Sequence, residues 1–327
     1  MKLTEDEVMS EGMPPQQDDG PSNLNSFSTV ATGLHGYEAA LLMESIRLHS
    51  DKKIYLMADE EAFNLLRDGI PKNVNTTIIQ DEDKRERDDK YKAEPDTIWP
   101  SCPKFPSLWN PASQSYKMDV MSKAIKGSGN TLFLDADVIL VNPVNCKFSS
   151  SVTLSKHNGV CGGGYVYSSD SSFPDNWKEL YSRELSAKTD GGVVRSCGKC
   201  GDIPTSKLKG NHNPSLFGAA HNLGPWRSPR PFVGADVGEI MENLGLGADD
   251  DIYIDDGNGP EKVVSFHVHL RPKDEQANES YNLVRSFYEC LLRSVKSTHK
   301  QLMDFICNIY LPNAIRLNLG EPNTLRV

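Results

Sequence analysis

Two spacings of apolar residues alternate along the first half of the chain. FSTVAT (27–32), KKIYLMAD (52–59) and NVNTTIIQ (73–80) are short runs enriched in β-branched and apolar residues, the pattern of strands. Between them the spacing lengthens. YEAALLMESIRLHS (37–50) sets Leu41, Leu42, Ser45, Ile46 and Leu48 along one helical face, and EEAFNLLRDG (60–69) is a helix that stops at glycine. A further helix around 114–126 turns Met118, Met121, Ala124 and Ile125 inward and leads into a fourth strand within NTLFLDADVILVNP (130–143). SVTLS (151–155) and GGGYVYS (162–168) continue the strand pattern, and SFPDNWKELYSREL (172–185) returns to a helix. EKVVSFHVHLRPK (261–273) reads as one strand with His267 and His269 on the same face, and 276–310 carry one or two amphipathic helices. Strand and helix in alternation predict an α/β fold built on a mostly parallel sheet. The expected organisation is a disordered acidic tail over 1–25, one α/β domain over 26–275, and a helical extension over 276–327 packed on that core.

Composition narrows the function classes. The 327 residues carry a formal net charge of −10 with pI near 5.3, which argues against nucleic-acid binding, where a basic stripe is needed. An anionic small ligand stays open, because a bound cation can supply local positive charge. The charge run DEDKRERDDKYKAEPD (81–96) reads as a solvated loop or helix face. No apolar run is long enough to span a bilayer, and the polar, acidic N-terminus has no apolar leader segment. Seven scattered cysteines suit reduced thiols in a cytoplasmic setting. Cys197 and Cys200 form a lone CxxC in a loop; a zinc site completed by His212 and His221 is the rival reading. A homo-oligomer is left open, and core packing is the use expected of the C-terminal helices.

The chemistry concentrates at Asp135-Ala-Asp137. Alternation along a strand would put both carboxylates on one face, able to share one cation or one proton. Their place at the carboxyl end of about the fourth strand is where doubly wound sheets bind ligands. Two reactions use such a pair. In a phosphoryl transfer of the haloacid-dehalogenase style, Asp135 would be the nucleophile and Asp137 the acid/base. In sugar transfer from a nucleotide sugar, both would hold Mn²⁺ or Mg²⁺ against the diphosphate. Three strands precede the Asp pair, and a histidine strand that could supply a third ligand follows it, so sugar transfer is the expected chemistry. A non-catalytic binding protein of the same shape is the third reading.

Six segments taken in order resemble glycosyltransferases of the GT-A type, and most closely family 8, the glycogenin-like enzymes. They are FSTVATGLHGYEAALLMESIRLH, KKIYLMAD, YKMDVMSKAI, LFLDADVILVNP, GGGYVYSSDSSFPDNWKELY and the pair HNLGPWR with VVSFHVHL. The resemblance spans roughly 26–273 and implies a GT-A (Rossmann-like) mixed, mostly parallel sheet with flanking helices. It departs from the family at His269-Leu-Arg-Pro-Lys273, which lacks a glycine of the late motif, and at Cys161-Gly-Gly-Gly, where Asn-x-Gly is usual. It implies a nucleoside diphosphate sugar donor, a UDP-sugar, and a hydroxyl acceptor that the residues do not identify. Asp135, Asp137 and His269, with His267 as the alternative, are the implied metal ligands. Ala31, Thr32 and Tyr37 would line the nucleobase pocket. Lys117 and Lys273 would meet phosphate, with Arg271 beside Lys273. Gly162 to Gly164 would let backbone approach the sugar, and Asn222 and Arg227 would position sugar or acceptor, with Asn222 a catalytic candidate beside Asp236 and Asp255. The family leans toward retention of anomeric configuration; Asp236, Asp249 to Asp251 and Asp255 are available as a base, which keeps inversion open.

Overall fold

The computed structural model describes residues 22–33, 35–66, 70–90, 111–157, 160–186, 212, 214–218, 220–223, 244–246, 252–255 and 259–267. The first part is a regular alternation: β1 (Ser26–Ala31), α1 (His35–His49), β2 (Lys53–Asp59), α2 (Glu60–Leu66), β3 (Val74–Ile79), α3 (Asp81–Lys90), α4 (Pro111–Ser128) and β4 (Thr131–Leu134). Then follow β5 (Val138–Leu140), β6 (Val152–His157), β7 (Val160–Ser168), α5 (Phe173–Ser186), β8 (Ser215–Leu216), β9 (Leu244–Leu246), β10 (Ile252–Asp255), β11 (Pro260–Lys262) and β12 (Ser265–His267).

Seven strands form one sheet in the order β3-β2-β1-β4-β7-β6-β8. The β1–β2, β2–β3, β1–β4 and β6–β8 pairs are parallel, while β7 is antiparallel to both β4 and β6. Only β7 therefore opposes the common direction. This is the mixed, mostly parallel α/β sheet of the GT-A (Rossmann-like) expectation. The order reverses between β1, whose chain leads outward to β2 and β3, and β4, on the other side. Parallel strands need crossover helices, and these cover both faces. On one face, Ile54, Leu56, Ala58, Leu132 and Leu134 pack with Leu42, Met43 and Ile46 of α1 and with Ala62 and Leu66 of α2. On the other, Tyr55, Met57 and Phe133 meet Tyr116, Met118 and Met121 of α4 and Phe173, Trp177 and Tyr181 of α5. The strand alternation seen in the sequence is thus a division between two apolar layers, not between core and solvent.

Several expectations change in detail. The chain is engaged before the expected end of the tail: Leu24 is buried, and Asn23 exchanges hydrogen bonds with the Phe148 backbone. The charge run, read as loop or helix face, begins as a helix, α3. The expected strand over 261–273 is two strands. β11 pairs with β10, whereas β12 pairs with β5, and at the break the Val264 carbonyl accepts hydrogen bonds from Val141 and Asn142. Backbone groups change partners there, so the ladder cannot run through. Residues 1–21 of the tail, the CxxC pair and the 276–327 extension lie outside the described residues. Among the described residues, no helix is long and apolar enough to cross a membrane.

Candidate metal centre

β4 ends at Leu134, and the Asp pair stands just beyond it. Asp135 N–H donates to the Gly164 carbonyl of β7 at 2.8 Å, and Val138 N–H returns to the Asp135 carbonyl at 3.1 Å. Asp135, Ala136 and Asp137 therefore form a tight turn between β4 and β5, and turn geometry rather than strand alternation brings the two carboxylates together. β12 then lies antiparallel on β5 with His267 opposite Val138. That register delivers His267 beside Asp137, with its Nε2 2.9 Å from Asp137 Oδ1. One carboxylate oxygen each from Asp135 and Asp137 and one His267 nitrogen lie within 4.8 Å of one another. The imidazole is nearly sealed at 6% side-chain exposure, while Asp137 at 17% and Asp135 at 23% still face an opening.

Lys117 of α4 completes the group. Its Nζ reaches Asp135 Oδ1 at 2.7 Å and Oδ2 at 3.0 Å, from a side chain only 10% exposed. Two carboxylates against one ammonium leave one net negative charge on these three side chains. Two hard oxygen donors plus a neutral imidazole suit Mn²⁺ or Mg²⁺, so the donor set fits the metal that the family resemblance implies.

Gly164 sets the space. A Cβ there would stand 2.4 Å from Asp135 Oδ2 and 2.8 Å from His267 Cε1, distances that no side chain tolerates. Of the three successive glycines expected to allow close approach, this one lets β7 pass directly behind the acidic pair. Behind His267 stands Asn222, whose Oδ1 is 2.9 Å from His267 Nδ1. Sequence reasoning placed Asn222 at the sugar or acceptor, or as a catalytic candidate; the structure puts its side chain against the imidazole. A readable signal is the His-Asn-Leu-Gly turn, since asparagine is the non-glycine residue most tolerant of left-handed backbone, and Asn222 has φ +54°.

The other expected site residues fall into two sets. Ala31 ends β1, buried opposite Ala58, with half-buried Thr32 directly after it, and Tyr37 lies in the first turn of α1. These mark the carboxyl end of β1, the other side of the strand-order reversal from Asp135. Asp255 ends β10 opposite Pro260, in the separate three-stranded sheet. His269, the preferred third ligand, lies outside the described residues, as do Arg227, Asp236, Asp249 to Asp251, Arg271 and Lys273. The two histidines offered as zinc partners of the CxxC are engaged elsewhere: His212 with Asp170 and Asn176, and His221 with the Tyr165 hydroxyl.

Asp59, the acid that closes β2, supports the β1 side. Burial would push its carboxyl up, but N–H groups of Ala62 and Gly33 and the Lys84 ammonium outweigh this and hold it below the usual carboxylate range. Asp59 thereby caps α2 and fixes the loop that follows Ala31 and Thr32.

No family model matches the chain, and no curated protein matches it. Among solved structures it is similar to the apo structure of the WbbM bifunctional glycosyltransferase, at 10% sequence identity and a TM-score of 0.44. The match covers 82% of this chain and 52% of that one, so the chain spans about half the length of this neighbour.

Proposed function

We propose that the chain is a metal-dependent glycosyltransferase that moves a sugar from a nucleoside diphosphate sugar to a hydroxyl. The observation that carries this reading is the cluster of Asp135, Asp137 and His267 at the carboxyl end of β4, with Lys117 on Asp135. It stands beside the β1/β4 reversal, the place where open α/β sheets bind ligands. A UDP-sugar as donor and retention of configuration follow from the family 8 resemblance.

Asp135, Asp137 and His267 would hold Mn²⁺ or Mg²⁺, and His267 takes the ligand role that the sequence first assigned to His269. When bound, the ion supplies positive charge for the diphosphate that departs. The chain's own residues do the rest. Lys117 can turn a hydrogen bond from Asp135 to a phosphate oxygen, a charge-assisted contact. Ala31, Thr32 and Tyr37, at the carboxyl end of β1, would receive the nucleoside, as the family resemblance implies. Gly164 keeps β7 clear of Asp135. Asp135 is thus a ligand and not a nucleophile, which distinguishes this reaction from phosphoryl transfer through an aspartyl intermediate.

Calorimetric titration with UDP in the presence and absence of Mn²⁺ tests the reading. Binding is expected only with the ion and is expected to vanish in Asp137→Ala. UDP binding that ignores the metal, or beryllium fluoride binding that depends on Asp135 without UDP affinity, would count against sugar transfer. Slow hydrolysis of a panel of nucleotide sugars then identifies the donor.

A further inference from the structure

Asn222 is built into the fold more firmly than a loop residue facing a substrate requires. Its backbone has φ +54°, its N–H donates to Ser265 Oγ at 2.8 Å, and its Nδ2 donates to Ser155 Oγ at 3.0 Å. The other polar atom of its side chain, Oδ1, faces His267 Nδ1 at 2.9 Å. The next residue locks the same strand, since the Leu223 carbonyl accepts from His267 N–H at 2.9 Å. Ser155 belongs to β6 and Ser265 to β12, so Asn222 joins the seven-stranded sheet to the strand that carries the imidazole. Asn222 is 2% exposed and His267 5% exposed, which removes water as a competing partner.

An amide whose nitrogen is committed to Ser155 presents only its carbonyl oxygen to His267. A carbonyl accepts, so Nδ1 of His267 must carry the proton, and a neutral imidazole then turns an unprotonated Nε2 toward Asp137. We propose that Asn222 is a positioning residue that sets the His267 tautomer, making Nε2 a metal ligand in place of a proton donor to Asp137. Backbone strain fits this role: a left-handed asparagine persists where surrounding contacts over-determine it. Partners of this kind behind a ligating histidine are worth about 10–100-fold in metal affinity.

The inference rests on the metal-dependent reading above, and two substitutions separate them. Asn222→Gly removes the amide while tolerating the positive φ, so it deletes the acceptor without forcing the backbone. Asn222→Asp keeps an acceptor at Nδ1 but has no N–H to donate. Titration of each folded variant with Mn²⁺ alone is expected to give about 10–100-fold weaker binding for Asn222→Gly, and binding no weaker than wild type for Asn222→Asp. Long-range ¹⁵N–¹H spectra of the metal-free protein, taken on the basic side of the imidazole range, should place the His267 proton on Nδ1 in wild type and in Asn222→Asp. In Asn222→Gly, part of the population should move to Nε2. A wild-type proton on Nε2, or equal loss of Mn²⁺ binding in both variants, would show that the amide donates to His267 and would overturn the proposal. Unchanged Mn²⁺ binding in Asn222→Gly would overturn it while leaving the transferase reading intact. Wild-type protein that binds no Mn²⁺ sinks both, and the tautomer spectrum still reports which nitrogen Asn222 faces.

Discussion

At the scale of single residues, the site depends on an absent side chain as much as on those present. Gly164 lies in the buried part of β7, and its φ is not left-handed, so alanine suits its backbone. What forbids alanine is space, since the added carbon would meet Asp135 Oδ2 at 2.4 Å and His267 Cε1 at 2.8 Å. Overpacking of this kind costs about 1–3 kcal/mol, and here the strain falls on two ligands at once. Gly164→Ala should therefore fold, with unchanged far-ultraviolet circular dichroism, yet bind Mn²⁺ at least about fivefold more weakly, the equivalent of the lower end of that cost. Retained affinity in a stable Gly164→Ala protein would mean that Asp135 does not need its present position. The three-glycine run was legible as a close approach, but which glycine mattered, and against what, depended on the turn after β4. Nothing in the local residues announces that turn, because Asp-Ala-Asp is compatible with a continuing strand.

The same division holds for elements. Strands β1 to β4 and helices α1, α2 and α4 stand close to where the apolar spacing put them, because each buries a face against the sheet. Where local spacing leaves an element's form open or misleads, that form depends on distant partners. The strand expected over 261–273 breaks at Val264 because β5 and β10 compete for its two halves. The charge run has no apolar face to decide between loop and helix, and its inward contacts are made by charged side chains. Arg87 of α3 reaches Asp119 and Ser115 of α4 and stacks over Tyr116, on either side of Lys117, while Lys84 reaches Asp59. α3 thus braces both edges of the proposed donor site. Asp59→Asn tests the second brace. It retains an acceptor for the cap but loses the charge, which should cost on the order of 1 kcal/mol at neutral pH. The folded carboxyl is held below its unfolded value, so its contribution is full above the ordinary carboxylate range and fades as pH falls through the depressed value. Denaturant unfolding curves of wild type and Asp59→Asn should therefore differ at pH 7 and converge in acid; a constant gap would assign the cost to geometry rather than charge.

For the molecule as a whole, the proposed metal site joins parts that the chain order keeps far apart. Asp135 and Asp137 follow the fourth strand of the main sheet, His267 arrives on β12, and Lys117 comes from α4. The β5–β12 ribbon that seats His267 is tied back to α1 of the main body by Leu140 N–H on Ser45 Oγ, and its two strands are joined again just beyond their ends by Asn142 Nδ2 on the Val263 carbonyl. An unfolded chain cannot present these ligands together without the entropy cost of closing a long loop. Metal binding and global folding are consequently linked: an ion that binds only the folded chain stabilises it by about 2.7 kcal/mol at 100 times its dissociation constant. For a domain of this size that corresponds to a rise in Tm of roughly 5–10 °C. Mn²⁺ should produce this shift in the absence of any nucleotide, and Asp137→Ala should abolish it. An equal shift in Asp137→Ala would place the ion elsewhere on an acidic surface, and a wild-type Tm indifferent to Mn²⁺ would remove the metal from the mechanism. Because the shift is read without donor or acceptor, it tests the site before either substrate is known.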